Sequence, residues 1–179
     1  MPYEVTRRFE QALCDYTGAP YAVALNSCTA ALLLACRYFQ PRTMITIPSR
    51  TYVSVPCAIK LAGHDVAFED RRWRGEYRLA PLPVWDCARR MTSWMYKPGD
   101  YLCVSFSASK ILGAEQGGAI LHDNAEADAW FRRMRFDGRT EGVDAMEDTF
   151  DLVGMHCLML PSVAATLLVR LYHLPKHNE

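Results

Sequence analysis

The stretch that most narrows the fold is Tyr21–Phe39. An apolar run, Tyr21-Ala22-Val23-Ala24-Leu25, meets a short polar turn, Asn26-Ser27-Cys28, and passes at Thr29 into a second apolar run. This reads as a strand, a tight turn and a helix. A helix start of that kind offers unpaired N–H groups and the positive end of the helix dipole, which suit a phosphate. Ser27 and Thr29 add hydroxyl donors. Asn and Ser are equally ordinary N-caps, so the segment alone specifies a fold unit rather than a ligand.

The same alternation continues along the chain. Val5, Phe9, Ala12, Leu13 and Tyr16 mark an amphipathic first helix that Gly18 ends. Strands are expected near 21–25, 44–47, 65–69, 82–85, 101–106 and 117–122, and helices near 29–39, 52–62, 125–136 and 161–172. Residues 137–150 are polar and irregular and read as a mobile loop. Strands separated by helices predict a three-layer α/β fold, a mainly parallel sheet with helices on both faces. The 179 residues are enough for one domain with a real core.

Three further segments carry chemistry. In Ser105–Leu121 an apolar strand leads to Lys110, and Gly117-Gly118 opens another strand. A lysine held between buried strands is a candidate for a Schiff base, because lost hydration favours its neutral, nucleophilic amine. A surface loop lysine is the ordinary alternative. In Pro83–Arg89, Asp86 ends a short apolar strand, where ligand groups gather in open α/β sheets. A carboxylate there can hold a pyridinium N–H and make a cofactor ring an electron sink; a helix-capping Asp is the alternative. In Pro48–Ser54, Tyr52 follows a strand and can stack on such a ring, or fill the core rim.

Together and in this order, these segments resemble the DegT/DnrJ/EryC1/StrS sugar-aminotransferase family, fold type I enzymes that use pyridoxal 5′-phosphate. The resemblance runs from about Phe9 to about Leu174. Phe9–Ala19 resembles the family's opening helix and turn, Asn26–Leu32 its phosphate turn, and Ala58–Asp70 its next helix and strand. The resemblance implies that Lys110 carries the cofactor and shuttles protons, and that Asp86 pairs with the pyridine nitrogen. It implies that Tyr52 stacks on the ring, while Thr29, the backbone of Ala30, and Ser105 hold the phosphate. Gly154–Met159 resembles a motif whose Asn reaches the neighbouring subunit's phosphate. His156 stands at that position, which implies a homodimer with shared sites.

The departures from the family pattern are specific. Cys28 replaces a glycine of the phosphate turn, Gln116 a common Glu, and Leu158 an Arg. Arg89 stands where Gln or His is usual near the cofactor's phenolic oxygen, and would favour the phenolate if it pointed inward. Only Arg71–Trp85 separate the third strand from Asp86, where the family has another strand and helix. No counterpart of the family's small C-terminal domain is expected within these residues. Residues 1–179 are therefore expected to form a single catalytic domain with an open cofactor site.

Formal net charge is zero, so no overall field attracts nucleic acid or membrane. Arginines cluster at 71–74, 89–90 and 132–135, and read as solvated faces. Seven cysteines without a Cys-x-x-Cys pair imply reduced thiols and a cytoplasmic protein. The five histidines show no metal spacing. The expected activity is a transamination. Decarboxylation of an amino acid carried on a large substrate, such as a modified nucleotide or nucleic acid, uses the same residues. A non-catalytic, cofactor-binding regulator is a third reading.

Overall fold

The computed structural model describes residues 3–178. Helix α1 (Glu4–Thr17) buries Phe9 and Leu13 and stops at Gly18. Gly18 is left-handed, at φ 79°, and its N–H reaches the Cys14 carbonyl at 2.9 Å. A side chain there would also meet the Trp94 indole at 2.8 Å, so only glycine fits. The chain continues through β1 (Tyr21–Leu25), α2 (Cys28–Tyr38), β2 (Met44–Pro48), α3 (Ser54–Leu61) and β3 (Asp65–Glu69). After β3 come β4 (Tyr77–Arg78), β5 (Val84–Asp86), β6 (Tyr101–Ser105), β7 (Gly118–His122), α4 (Ala125–Met134) and α5 (Pro161–Tyr172).

Five strands form a sheet in the order β1-β7-β6-β5-β4, and β2 pairs with β3. A bridge between Thr46 and Ala80 joins the two sets, with Thr46 N–H donating to the Ala80 carbonyl at 2.8 Å. The sheet is mixed. β5 and β6 are parallel, as are β2 and β3, but β7 runs against both β1 and β6, and β4 runs against β5. Connection length explains this. No helix lies between β6 and β7, and five residues join β4 to β5. Parallel neighbours need a crossover of about a dozen residues or more, usually a helix; the β4–β5 link is too short for one and the β6–β7 link carries no helix, so both return antiparallel.

Period-two burial sorts the strands between two cores. Val23, Leu25, Tyr101, Cys103 and Ile120 face α2, α3 and α4. Ala22, Ala24, Leu102, Val104, Ala119 and Leu121 pack with Phe9, Leu13, Val163 and Leu167 of α1 and α5. Helices thus cover both faces, and β1, β6 and β7 are mostly apolar.

The arginine run on α4 is not a solvated face. Arg135 is 1% exposed and donates to Glu10 Oε1 and the Ala24 carbonyl, both at 2.6 Å, and to Glu141. Arg132 takes the other Glu10 oxygen at 2.8 Å and Asp128 at 2.7 Å. Glu10 also accepts the Ala24 N–H at 2.8 Å. Opposing charge holds its carboxyl below the usual range although burial acts the other way. Glu141 anchors the irregular segment 137–150 into this cluster. Among the described residues no helix is long and apolar enough to cross a membrane, no His, Cys, Asp and Glu group is placed to hold a metal, and all seven cysteines are free thiols.

Candidate active site

The C-terminal ends of β1, β5 and β6 open on one side of the sheet, where open α/β sheets bind ligands. There they line a cleft of about 430 Å³ with the start of α2, Tyr52, Ser54 and the Lys110 loop. Of the residues singled out in the sequence, the cleft brings together Lys110, Asp86, Tyr52, Ser27, Thr29 and Ser105. Ser54, Ser107, Ser109 and Glu115 line it too, and nothing in the sequence marked them.

The turn into α2 is held by its own residues. Ser27 Oγ accepts the Ala30 N–H at 3.1 Å and lies 3.2 Å from Asn26 Oδ1, to which it donates. The Ala30 amide, expected to face a phosphate, is thus bound to the Ser27 cap. The amides of Cys28 and Thr29, at the first turn, have no acceptor within the helix. Cys28 does not obstruct the turn. Its thiol points down to the Cys103 carbonyl at 3.6 Å, and burial pushes it well above the usual thiol range. The turn needs a glycine elsewhere: a Cβ on Gly118 of β7 would sit 2.4 Å from the Cys28 nitrogen.

Asp86 is buried, at 5% exposure. It accepts the Tyr77 hydroxyl at 2.7 Å and the Ala88 N–H at 2.9 Å. Burial pushes its carboxyl up, against the opposing pull of those two donors and of the Lys110 charge. Tyr77 sits directly across from Asp86 in the β4–β5 pairing and also contacts Thr51 Oγ1. Burial, with the Asp86 charge, pushes the Tyr77 phenol up, so it stays a donor.

Lys110 lies half-buried in a bend, its N–H donating to the Ser107 carbonyl at 2.9 Å. Lys60 and Lys97 are paired with Asp65 and Glu76 at 2.9 and 3.2 Å. Lys110 pairs with no carboxylate among the described residues and lines the cleft. Tyr52 is 75% exposed at the mouth. Ser105 Oγ lies 3.4 Å from Ser107 Oγ at the end of β6.

Two expected residues stand elsewhere. Arg89 is exposed and lines outer grooves rather than the cleft, so it does not point inward. His156 is outside the cleft, with Nδ1 2.9 Å from Asp137 Oδ2 and its side chain 70% exposed.

Residues 1–74 and 95–179 match the sequence profile of the DegT/DnrJ/EryC1/StrS aminotransferase family. The unmatched segment is the one that holds β4, β5, Tyr77 and Asp86. No curated protein sequence matches the chain. Among solved structures, a Brucella abortus DegT DnrJ EryC1 StrS aminotransferase superposes with a TM-score of 0.79 at 20% identity, covering 96% of this chain and 59% of its own. Helicobacter pylori PseC, an aminotransferase involved in pseudoaminic acid biosynthesis, gives 0.78 at 18% identity, with 96% and 58% covered. The putative sugar aminotransferase Spr1654 of Streptococcus pneumoniae, in its PMP form, gives 0.78 at 20%, with 96% and 59% covered. The chain spans somewhat under two thirds of the length of these relatives.

Proposed function

The chain belongs to the DegT/DnrJ/EryC1/StrS aminotransferase family, and we propose that it forms the cofactor-holding body of a pyridoxal-phosphate-dependent aminotransferase. The observation that carries the reading is the convergence, in one cleft, of an unpaired lysine, a buried carboxylate and a helix start bearing Ser27 and Thr29. That donor set fits the cofactor end to end. Hydroxyls and helix amides suit its phosphate, Asp86 its ring nitrogen and Lys110 its aldehyde.

Pyridoxal phosphate, when bound, supplies an aldehyde that takes up amines and a ring that accepts the electron pair released at the substrate carbon. The chain's residues supply the rest. Thr29, Ser27, Ser105 and the α2 amides would hold the phosphate, with the dipole of α2 favouring its charge. Asp86, fixed by Tyr77 and Ala88, would keep a proton on the ring nitrogen; a cationic N–H there offsets the cost of burying a carboxylate. Tyr52 would cover one ring face. The Lys110 amine would hold the cofactor at rest and move a proton at the substrate carbon.

Within this reading residues 1–179 act as one catalytic domain, and the working unit is a homodimer. Tyr52 and Val53, 75% and 67% exposed, leave an apolar rim at the cleft mouth for a partner to cover. His156, exposed and outside its own cleft, would reach a neighbour's by giving up its Asp137 contact. The substrate is an amine of the sugar class named for the pneumococcal relative, or another amine on a bulky carrier.

The test is direct. Purified protein should bind pyridoxal phosphate and turn yellow, and borohydride should fix the cofactor to Lys110, as read by peptide mass. Lys110→Ala should abolish the fixed label. An amine donor should convert the cofactor to pyridoxamine phosphate. Carbon dioxide release with the cofactor retained would replace transamination by decarboxylation. Failure to take up the cofactor, or a label on Lys60 or Lys97, would overturn the assignment.

A further inference from the structure

The Asp86 end of the cleft is built by residues 75–94, the segment that the family profile leaves unmatched. Both carboxylate oxygens are engaged there. Oδ1 accepts the Ala88 N–H at 2.9 Å, and Oδ2 accepts the Tyr77 hydroxyl at 2.7 Å. Tyr77 is 3% exposed and has one proton to give. That proton goes to the carboxylate, so the Thr51 hydroxyl, in contact with the same phenolic oxygen, must donate to it. The result is a directed chain from Thr51 to Tyr77 to Asp86. Donors in series polarise one another, and a carboxylate that receives them is favoured in its charged form. A second tie lies beside the first. Trp73 donates to the Arg50 carbonyl at 2.9 Å and packs edge-on against Tyr77, with ring centroids 4.8 Å apart. Residues 50 and 51, which lead to Tyr52, are thus pinned to the β4–β5 hairpin at two points.

We propose that Thr51 and Tyr77 are positioning residues for the cofactor ring: through one phenolic oxygen they hold Asp86 charged toward the ring nitrogen and keep the segment that carries Tyr52 in place beside it. The presence of the ring rests on the aminotransferase reading; the hydrogen-bond chain does not. The other titratable groups that face Asp86 are the thiols of Cys28, Cys87 and Cys103, and Lys110. Burial holds all three thiols well above the usual range, so they stay neutral. Lys110 is the one cation of the set, and among the described residues only Tyr77 and Ala88 donate hydrogen bonds to Asp86. In Tyr77→Phe the ring would still pack on Trp73, but the buried carboxylate would lose one of its two donors and become more basic. A proton shared with the ring nitrogen would then move toward the carboxylate.

The experiment is nitrogen NMR of the cofactor-loaded protein, with pyridoxal phosphate isotopically labelled at its ring nitrogen. In the wild type at neutral pH the resonance should sit at the protonated position. Tyr77→Phe should lower the titration midpoint of the ring nitrogen by about one pH unit or more, the scale of a hydrogen bond to a charged group. Thr51→Val should lower it by less, and Thr51→Ser, which keeps the hydroxyl, should behave as the wild type. Because Thr51 acts through Tyr77, adding Thr51→Val to Tyr77→Phe should bring no further change. A residue that only packed would alter stability and leave the resonance in place. An unprotonated ring in the wild type, a wild-type midpoint in Tyr77→Phe, or additive effects in the double variant would overturn the proposal. Circular dichroism checks folding; should Tyr77→Phe fail to fold, Thr51→Val against Thr51→Ser decides. Should the protein take up no pyridoxal phosphate, the aminotransferase reading falls, and carbon NMR titration of the Asp86 carboxyl in the cofactor-free protein decides the hydrogen-bond chain. A midpoint raised by about one pH unit or more in Tyr77→Phe upholds that chain, and an unmoved one overturns it.

Discussion

Gly118 lets the α2 turn lie directly on β7, and Gly118→Ala tests whether that seating matters. The new Cβ would fall 2.4 Å from the Cys28 nitrogen, 2.4 Å from the Ser27 carbonyl carbon and 2.7 Å from the Cys28 Cα. All three are backbone atoms, so no side chain can rotate away. Ordinary contact begins near 3.4 Å, so the turn must withdraw by about 1 Å. Overpacking of this kind costs about 1–3 kcal/mol, and in a domain of this size about 2–4 °C of Tm per kcal/mol. The second effect is positional. A displacement of about 1 Å can cost on the order of a hundredfold where groups must meet a ligand. Thermal unfolding followed by circular dichroism should therefore show a fall of about 2–12 °C. A pyridoxal phosphate titration followed by absorbance should show affinity reduced about tenfold or more. Unchanged Tm together with unchanged affinity would refute the claim that this glycine seats the α2 turn.

Asp86→Ala should retain cofactor through the phosphate contacts but lose about a hundredfold or more in turnover, by analogy with the removal of preorganised electrostatic groups; near-normal steady-state rates would displace Asp86 from the site. Glu10→Leu removes the acceptors of Arg132, Arg135 and the Ala24 amide, and urea unfolding should register a loss of about 3–5 kcal/mol. His122 is fully buried, stacked between Tyr21 and Tyr101, and burial lowers its pKa to about 4. The folded protein thus refuses a proton that the unfolded chain accepts, so this group's contribution is intact above about pH 6.5 and declines as pH falls toward 4. Urea unfolding at pH 7 and pH 5 should differ by about 2 kcal/mol from this residue. His122→Phe should flatten that slope, and an unaltered slope would assign it to other groups.

Most of the fold was legible in the sequence because the strands are short apolar runs bounded by polar turns. The expected spans 21–25, 65–69 and 161–172 coincide with β1, β3 and α5, and the others differ by a few residues at their ends. β4 was not legible: two residues, Tyr77 and Arg78, carry no periodicity. Tyr77 was missed with it, since its tie to Asp86 exists only through the hairpin. The sheet was expected to be mainly parallel, and the five-residue β4–β5 link and the helix-free β6–β7 link are what make it mixed. Arg132 and Arg135 looked solvated because Glu10, their partner, lies more than a hundred residues away. The cleft residues stood out because they stand where strands end: Ser27 and Thr29 just after β1, Asp86 closing β5 and Ser105 closing β6. Arg89 and His156 came from resemblance alone, and neither enters the cleft of its own chain.

The short turn 79–83 between Tyr77 and Asp86 makes loop length a matter of parity. Side chains along a strand alternate faces. Removing or adding one residue in that turn would set Trp85 or Cys87 opposite Tyr77 and throw the carboxylate to the other side of the sheet. A change of two would keep the face and slide the carboxylate by about 7 Å, two strand rises. An insertion or deletion in those five positions would therefore carry Asp86 away from the cleft that Lys110 lines.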